Sequence, residues 1–429
     1  MKELLELKEF DTIICNPDYK DQYRWMDKNS FAELIEFIHA FDSDDVESDI
    51  LDFIKVGYKR NLGETVTFKN YVGLIQIKNK YMIQILPKIE FINGEKDETK
   101  QVFMKMLRSM KDFPSKVFTK ANLKTEQMNL YEIFINMYLQ EVRTLVKHGI
   151  KSSYTSQEDN LHFYKGKLLV NEHLKANLAH KERFYVCFDE YQVNRPENRL
   201  IKSMLLKLQK LSSSAENGKE IRQLLTSFEL VEPSKNYDED FAKVVIDRNT
   251  KDYEMLMKWS KVFLKNKSFT TFSGTDSAKA LLFPMEKVFE SYVARQLKKS
   301  LLGLNWDVSC QDKGFYLFDS PKQFALRPDI VITKEDGSKV ILDTKWKRLI
   351  DNTKINYGIS QADMYQMYAY SKKYGTSKIW LLYPITQELK DKVTISFNSN
   401  DGVTVTVFFV DVADIENNFM TLRRLLLET

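Results

Sequence analysis

The spacing of apolar residues changes twice along the chain. From Val56 to Ile89 apolar and polar positions alternate, the period of a half-buried strand. The run VGLIQIKNKYMIQILPKI reads as two strands joined at Asn79-Lys80. Upstream, FAELIEFIHAF (Phe31–Phe41) has helical spacing, with Ser30 as its N-cap. The polar segment NGEKDETK (Asn93–Lys100) predicts a surface loop. After residue 100 the spacing lengthens to three and four. Helices are expected at Val102–Met110, Leu130–His148, Asn198–Leu211 and Lys219–Ser227, with Arg195-Pro196-Glu197 opening the third. FYVCFDEYQV (Phe184–Val193) fits a strand, and KLSSSAENG (Lys210–Gly218) a flexible loop.

From residue 271 the two periods interleave. A helix over Phe283–Ser300 precedes strands near Asp307–Phe318, Pro328–Thr333 and Lys339–Lys347. A helix over Gln361–Tyr374 follows, then strands at Lys378–Tyr383, Thr394–Ser396 and Val403–Val410. Helix, hairpin, strand, helix, strand predicts an α/β layer with a mixed sheet. The expected fold class is α+β in three parts: a β-rich domain over 1–100, a mainly helical region over 101–270 and an α/β domain over 271–429.

Composition narrows the classes. Of 429 residues, 43% are hydrophobic and only 14 are Gly and 9 Pro, which excludes a disordered or collagen-like chain. Three distant cysteines, Cys15, Cys187 and Cys310, form no disulfide framework and fit a reducing compartment. The first residues lack the apolar core of a secretory signal, and no apolar run approaches a membrane span. A soluble, cytoplasmic protein is expected, with no membrane partner. The net charge of +4 neither demands nor excludes nucleic acid. All five histidines precede residue 181, so chemistry in the C-terminal part runs without histidine. The sequence has no G-x-x-x-x-G-K-[ST] loop, so no nucleotide is expected to bind this chain.

The informative stretch is ALRPDIVITKEDGSKVILDTKWKRL, Ala325–Leu349. Asp336-Gly337 marks a hairpin turn between two apolar strands. Residues two apart on a strand share a face, so Asp343 and Lys345 project together. The hairpin brings Asp329 alongside Asp343. Ile330, Val331, Ile332, Val340, Ile341 and Leu342 indicate burial, and buried charges are normally paired or bound to metal. A hard cation such as Mg2+ prefers carboxylate oxygens. Such a cation polarises a phosphate and activates water, and a neighbouring lysine stabilises developing charge. A plain Asp–Lys ion pair fixing strand register is the alternative. Two helices add to the set. In MEKVFESYVARQL (Met285–Leu297), Glu290 borders an apolar stripe of Met285, Val288, Phe289, Tyr292, Val293 and Leu297. In QADMYQMYAYSKKY, Gln366 and Tyr370 lie four apart on one face. Trp346 faces away from Asp343 and Lys345 and is read as core.

Pro328-Asp329 followed by Asp343-x-Lys345 resembles the PD-(D/E)xK nuclease motif. The helical Glu290 and the Gln366-x-x-x-Tyr370 pair resemble its RecB-like branch, over roughly residues 283–385. Further upstream, IQILPKI (Ile83–Ile89), FYKGKL (Phe163–Leu168), VNRPENRLIK (Val193–Lys202) and MEKVFESYV (Met285–Val293) follow the order of the McrC family. McrC is the nuclease subunit of McrBC-type restriction systems, with LlaJI-type subunits as relatives.

The resemblance implies a Mg2+-dependent DNA endonuclease that acts with a GTP-hydrolysing, McrB-like AAA+ partner in defence against phage. Its N-terminal part would dock on that partner and stimulate hydrolysis, and its C-terminal domain would cut double-stranded DNA. Asp329, Asp343 and Glu290 would hold the metal, and Lys345 would position water or stabilise the phosphate. Gln366, Tyr370 and Lys347 would support DNA or the metal's outer shell, and Arg348, Lys354, Lys372 and Lys373 would contact phosphates. Two rivals remain: an assembly and GTPase-activating module without nuclease activity, and a stand-alone RecB-like repair nuclease. Arg195, Glu197, Asn198 and Arg199 are explained by helix-start chemistry. The cysteines and His162, His173 and His180 lack metal-ligand spacing.

Overall fold

Strands with one helix make up the first part of the chain, as the alternation predicts. A computed structural model of the protein describes residues 3–42, 54–77, 81–91, 98–110, 129–265 and 278–428. Glu3–Lys8, Tyr81–Leu86 and Tyr71–Ile77 lie side by side in one sheet. A second sheet holds Thr12–Ile14, Arg24–Trp25, Ile54–Lys59 and Gly63–Phe68. The helix spans Lys28–Asp42. Its start is held by Asp27, whose carboxylate accepts from the Ser30 backbone N–H at 3.1 Å and from its hydroxyl. Ser30, the expected cap, is instead held by that carboxylate. The Asn79-Lys80 turn and residues 93–97 of the expected loop lie outside the described residues, and Thr99–Leu107 is a helix.

Contacts divide the chain into two compact units. One holds residues 129–265; the other joins 3–110 with 278–428. The expected first and third parts therefore lie in one unit. The link is a strand the sequence reading leaves unassigned, apart from its last two residues, which fall within the expected helix Phe283–Ser300. Ala278–Pro284 pairs antiparallel with Tyr71–Ile77 and runs straight into the following helix.

In the unit of residues 129–265, helices cover Leu130–His148, Pro196–Leu211 and Ala215–Ser227. It also holds a nine-residue hairpin pair, Ser153–Leu161 against Phe184–Gln192. The second strand is expected; the first, SYTSQEDNL, carries no apolar alternation and is a strand only because its partner completes the ladder. The expected loop Lys210–Gly218 shrinks to Ser212–Ser214. Ser214 caps the next helix, and the buried Glu132 accepts from Ser213 N–H at 2.6 Å and Ser212 Oγ at 2.7 Å.

The C-terminal region carries α1 (Met285–Ser300), β1 (Asp307–Cys310), β2 (Phe315–Asp319), β3 (Lys322–Leu326), β4 (Ile330–Thr333) and β5 (Lys339–Thr344). Then come α2 (Gln361–Tyr374), β6 (Lys378–Pro384), β7 (Thr394–Asn398), β8 (Thr404–Val410) and α3 (Ile415–Glu428). The sheet order is β1-β4-β5-β6-β8-β7. β5, β6 and β8 are parallel and the remaining pairings antiparallel, so the sheet is mixed as expected. Val331, Ile341, Leu381 and Val407 pack in one cluster with Met367, Tyr370 and Tyr374 of α2. The alternate residues Ile330, Ile332, Val340 and Leu342 are also buried. Burial of both faces explains why these strands read as unbroken apolar runs. Ser360 caps α2 by accepting from Asp363 N–H at 3.1 Å, and Gly375 stops it in the left-handed conformation (φ 65°). At the β4–β5 turn Gly337 takes φ 82°, and Asp336 accepts from Ser338 N–H.

Candidate active site

The β4–β5 hairpin sets the positions of both aspartates. Ile330 pairs with Leu342, and one step further Asp329 meets the end of β5. There Asp329 Oδ2 accepts from Thr344 N–H at 2.8 Å and Thr344 Oγ1 at 2.6 Å. Asp343 is 2% exposed. Lys345 Nζ lies 2.7 Å from Asp343 Oδ2, off the axis of a well-formed hydrogen bond, so this buried oxygen has no directed donor. Lys345 also donates to Gln366 Oε1 at 3.1 Å, and Gln366 donates to the Tyr370 hydroxyl at 2.8 Å. α2 therefore presents Gln366 and Tyr370 to the lysine, and the four-residue spacing predicts this shared face.

α1 contributes Glu290 from the edge of its buried stripe. Gln311, just after β1, donates to Glu290 Oε1 at 2.7 Å and to Asp329 Oδ1 at 3.1 Å. One amide nitrogen thus bridges two carboxylates. Gln311 has φ 52°, and its backbone N–H donates to the Asp329 carbonyl at 2.9 Å. Six expected residues are joined: Glu290, Asp329, Asp343, Lys345, Gln366 and Tyr370. Among the described residues, no three His, Cys, Asp or Glu side chains stand close enough to form a ready-made metal cage.

Electrostatics mark these acids as strained in their charged forms. Burial, then the neighbouring Asp329 charge, pushes both Glu290 and Asp343 up to about 7. Asp329 is raised by burial against the lowering bonds from Thr344. Lys345 is raised by Asp343 and other nearby acids, against the opposing effect of burial. The charge pattern is one acid, Asp329, acting on two others, with one protonated amine beside them.

Lys347 lies elsewhere in this unit. It is exposed and lines a cavity of about 480 Å³ with Glu9, Lys88, Glu90, Trp346 and Arg348. Arg348 is ion-paired with Glu90, Lys372 with Asp401 and Lys373 with Asp319. These cations are therefore partly neutralised, which weakens the expectation that they grip phosphates. Arg195 is paired with Glu197 and Arg199 with Asp240, in line with a structural role.

Three contributors carry no motif of their own. Gln311 is a polar residue in a loop, and nothing in its neighbours marks it. Thr344 lies inside the Asp-x-Lys motif at the variable position, where any residue is allowed. Glu9 is fully buried, and both its oxygens accept from Trp346 Nε1, at 3.2 and 3.1 Å. Lys88 N–H also donates to Glu9, at 3.1 Å. Trp346 is core, as expected, and its ring lies 5.2 Å from Phe289, beside Glu290. Replacing Thr344 with Val removes the 2.6 Å hydroxyl donor but keeps the backbone donor. The expected result is a loss of about 1 kcal/mol in the interactions holding Asp329, a roughly fivefold lower rate, with an unchanged circular dichroism spectrum.

The fold and site together define a mixed-sheet α+β protein with a buried acid–lysine cluster at the end of a central hairpin. The family described as McrBC 5-methylcytosine restriction system component matches residues 66–384. The chain belongs to this family, and so to the components of McrBC restriction systems. It is similar in fold to a chain of the refined half-complex from the tetradecameric assembly of Thermococcus gammatolerans McrB AAA+ hexamers with bound McrC. The identity there is 20%, the TM-score 0.70, and the match covers 99% of this chain and 100% of that one. A second structure, the cryo-EM structure of the T. gammatolerans McrBC complex, matches at 21% identity and TM-score 0.48, over 70% of this chain and 88% of that one. No curated protein matches. Among the described residues, no helix is long and apolar enough to cross a membrane.

Proposed function

We propose that the chain is the McrC-type subunit of its restriction system, a DNA endonuclease of the PD-(D/E)xK type that hydrolyses phosphodiester bonds. The observation that carries this reading is the cluster of Glu290, Asp329 and Asp343 around Lys345, with Gln366 and Tyr370 behind the lysine. Glu290, Asp329 and Asp343 would hold Mg2+. Their donors are all oxygen, two of the carboxyls are raised by burial and the Asp329 charge, and Asp343 Oδ2 is buried without a directed donor. The cation would supply charge neutralisation and an activated water. Lys345 would hold a proton-bearing ammonium against the phosphate, with Gln366 fixing its rotamer. Thr344 and Gln311 orient Asp329 and Glu290.

The T. gammatolerans assembly pairs McrC with McrB AAA+ hexamers. By analogy this chain docks on a McrB-like AAA+ partner and stimulates its GTP hydrolysis; the sequence itself carries no Walker loop. The test is plasmid cleavage in Mg2+ by the purified chain, alone and with the AAA+ protein encoded beside it plus GTP. Cutting only with partner and GTP supports the reading. Cutting alone without nucleotide favours a stand-alone repair nuclease. Faster GTP hydrolysis without cutting of any DNA, methylated plasmid included, favours an assembly module.

The raised acids give a pH prediction with a definite sign. Their folded values lie above the unfolded ones, so from about pH 4 to about pH 7 the native state binds more protons than the unfolded state. Stability of the metal-free protein should therefore fall as pH rises through that window. Mg2+ binds the deprotonated acids, so its stabilising effect should grow with pH and be lost in Asp343→Asn. Thermal midpoints measured with EDTA and with Mg2+ across pH 5 to 8 check this; a Mg2+ effect independent of pH contradicts it.

A further inference from the structure

Two aromatic rings stand exposed on the hairpin that leads into the acid cluster. Phe318 in β2 and Phe324 in β3 are 57% and 68% exposed, yet their rings touch, with centroids 5.9 Å apart and planes at 68°. Regular alternation does not produce this contact. Phe318 pairs with Gln323, so Phe324 belongs on the other face of the hairpin. Its φ of 58° breaks the alternation and accounts for the ring on Phe318's side. Left-handed backbone is unfavourable for so bulky a residue. The contact buries neither ring, so packing within the hairpin does not offset that strain. Strain retained at an exposed position points to function.

The hairpin is fastened to the site. Phe315 packs on Tyr374 of α2 at 4.3 Å, and Lys373 of α2 pairs with Asp319 at 2.7 Å. Helix α2 also carries Gln366 and Tyr370. Phe324 lies five positions before Asp329, so extended chain at about 3.3 Å per residue keeps their Cα atoms within roughly 17 Å. That is about half of the roughly 34 Å turn of a B-form duplex. Lys313, Lys322 and Arg327, on and beside the hairpin, are exposed and suit a polyanion better than a protein groove.

We propose that Phe318 and Phe324 form a wedge that enters double-stranded DNA between base steps about half a turn from the phosphate held at Asp329 and Asp343. The wedge rests on the nuclease reading above. Apolar side chains that part a base step kink the duplex and fix its register. The pair would thus set where the scissile phosphate lies.

The test uses the full chain in an Asp343→Asn background, alone and with the AAA+ partner, on a duplex carrying 2-aminopurine. Binding is followed by anisotropy and unstacking by 2-aminopurine emission. The parent should raise the emission. Phe318→Ala with Phe324→Ala should abolish the rise and weaken binding roughly tenfold, the size of one lost base-stacking contact. Phe318→Tyr with Phe324→Tyr should keep both signals, and the thermal midpoint should not move in either. Parent-like emission and affinity in the double alanine variant overturn the wedge alone. So does loss of partner binding with DNA binding intact, which assigns the rings to a protein contact. A parent that binds no duplex with or without the partner overturns the wedge and the nuclease reading together.

Discussion

Asp343→Asn should abolish DNA cleavage while leaving the metal-free protein at least as stable as the parent above about pH 7. The activity loss should reach about 100- to 1000-fold or more, the cost of removing a group that meets developing charge in a desolvated site. The stability outcome follows from the sign of the shift. Burial and the Asp329 charge raise Asp343, so its ionised form costs native stability above about 7. A neutral amide relieves that cost. The plain alternative, an ion pair that fixes strand register, predicts the reverse. There, removing the carboxylate strands Lys345 and lowers stability, with cleavage reduced only through unfolding. Plasmid cleavage and thermal midpoints, both taken on one preparation, separate the two. Full activity in a folded Asp343→Asn protein sinks the proposed site.

Trp346→Ala should be the most damaging single core change near the site. Trp346 is 7% exposed and packs on Phe289. Truncating a buried Trp costs about 3–5 kcal/mol. The loss also strips Glu9, a fully buried carboxyl 337 positions away, of its side-chain donor. Burial already pushes Glu9 up to about 7 despite that donor. Trp346→Phe isolates the hydrogen bond. It should cost about 1–3 kcal/mol, more above pH 7, where Glu9 is ionised, and less near pH 5.5, where it is protonated. Denaturant midpoints at the two pH values check this. Activity should fall in both variants, because Trp346 follows Lys345 and its ring packs beside Glu290. An equal cost at both pH values would show that Glu9 is not the partner that matters.

Much of the site is legible in the sequence because it obeys local periods. Asp343 and Lys345 share a strand face, Asp329 follows from the hairpin, and Gln366 and Tyr370 share a helix face. Each rule needs only the two-residue or four-residue repeat of one element. Lys347 breaks the pattern because the ladder ends at Lys345, whose N–H still donates to the Leu382 carbonyl, and beyond it strand parity no longer applies. Gln311 is illegible for a different reason. Its role depends on β1 lying against β4, which places its amide between acids from two other segments.

The same division holds for the fold. Most elements of the C-terminal sheet and most of the helices were determined by the sequence alone, since burial on one or both faces writes a period into the residues; the expected strand Asp307–Phe318 is instead two, Asp307–Cys310 in that sheet and Phe315–Asp319 in a separate hairpin. The strand Ser153–Leu161 was not, because an exposed polar strand has no apolar face to record and exists by its pairing with Phe184–Gln192. Nor was the union of the first and last parts of the chain. Ala278–Pro284 pairs with a strand some 200 residues earlier, and Glu9 accepts from Trp346 across 337 positions. A local pattern carries the free energy of a residue's own neighbours. It carries none of the pairings between distant strands, nor the position of a buried carboxyl that is tolerable only where one distant N–H can meet it. Tertiary packing decides those.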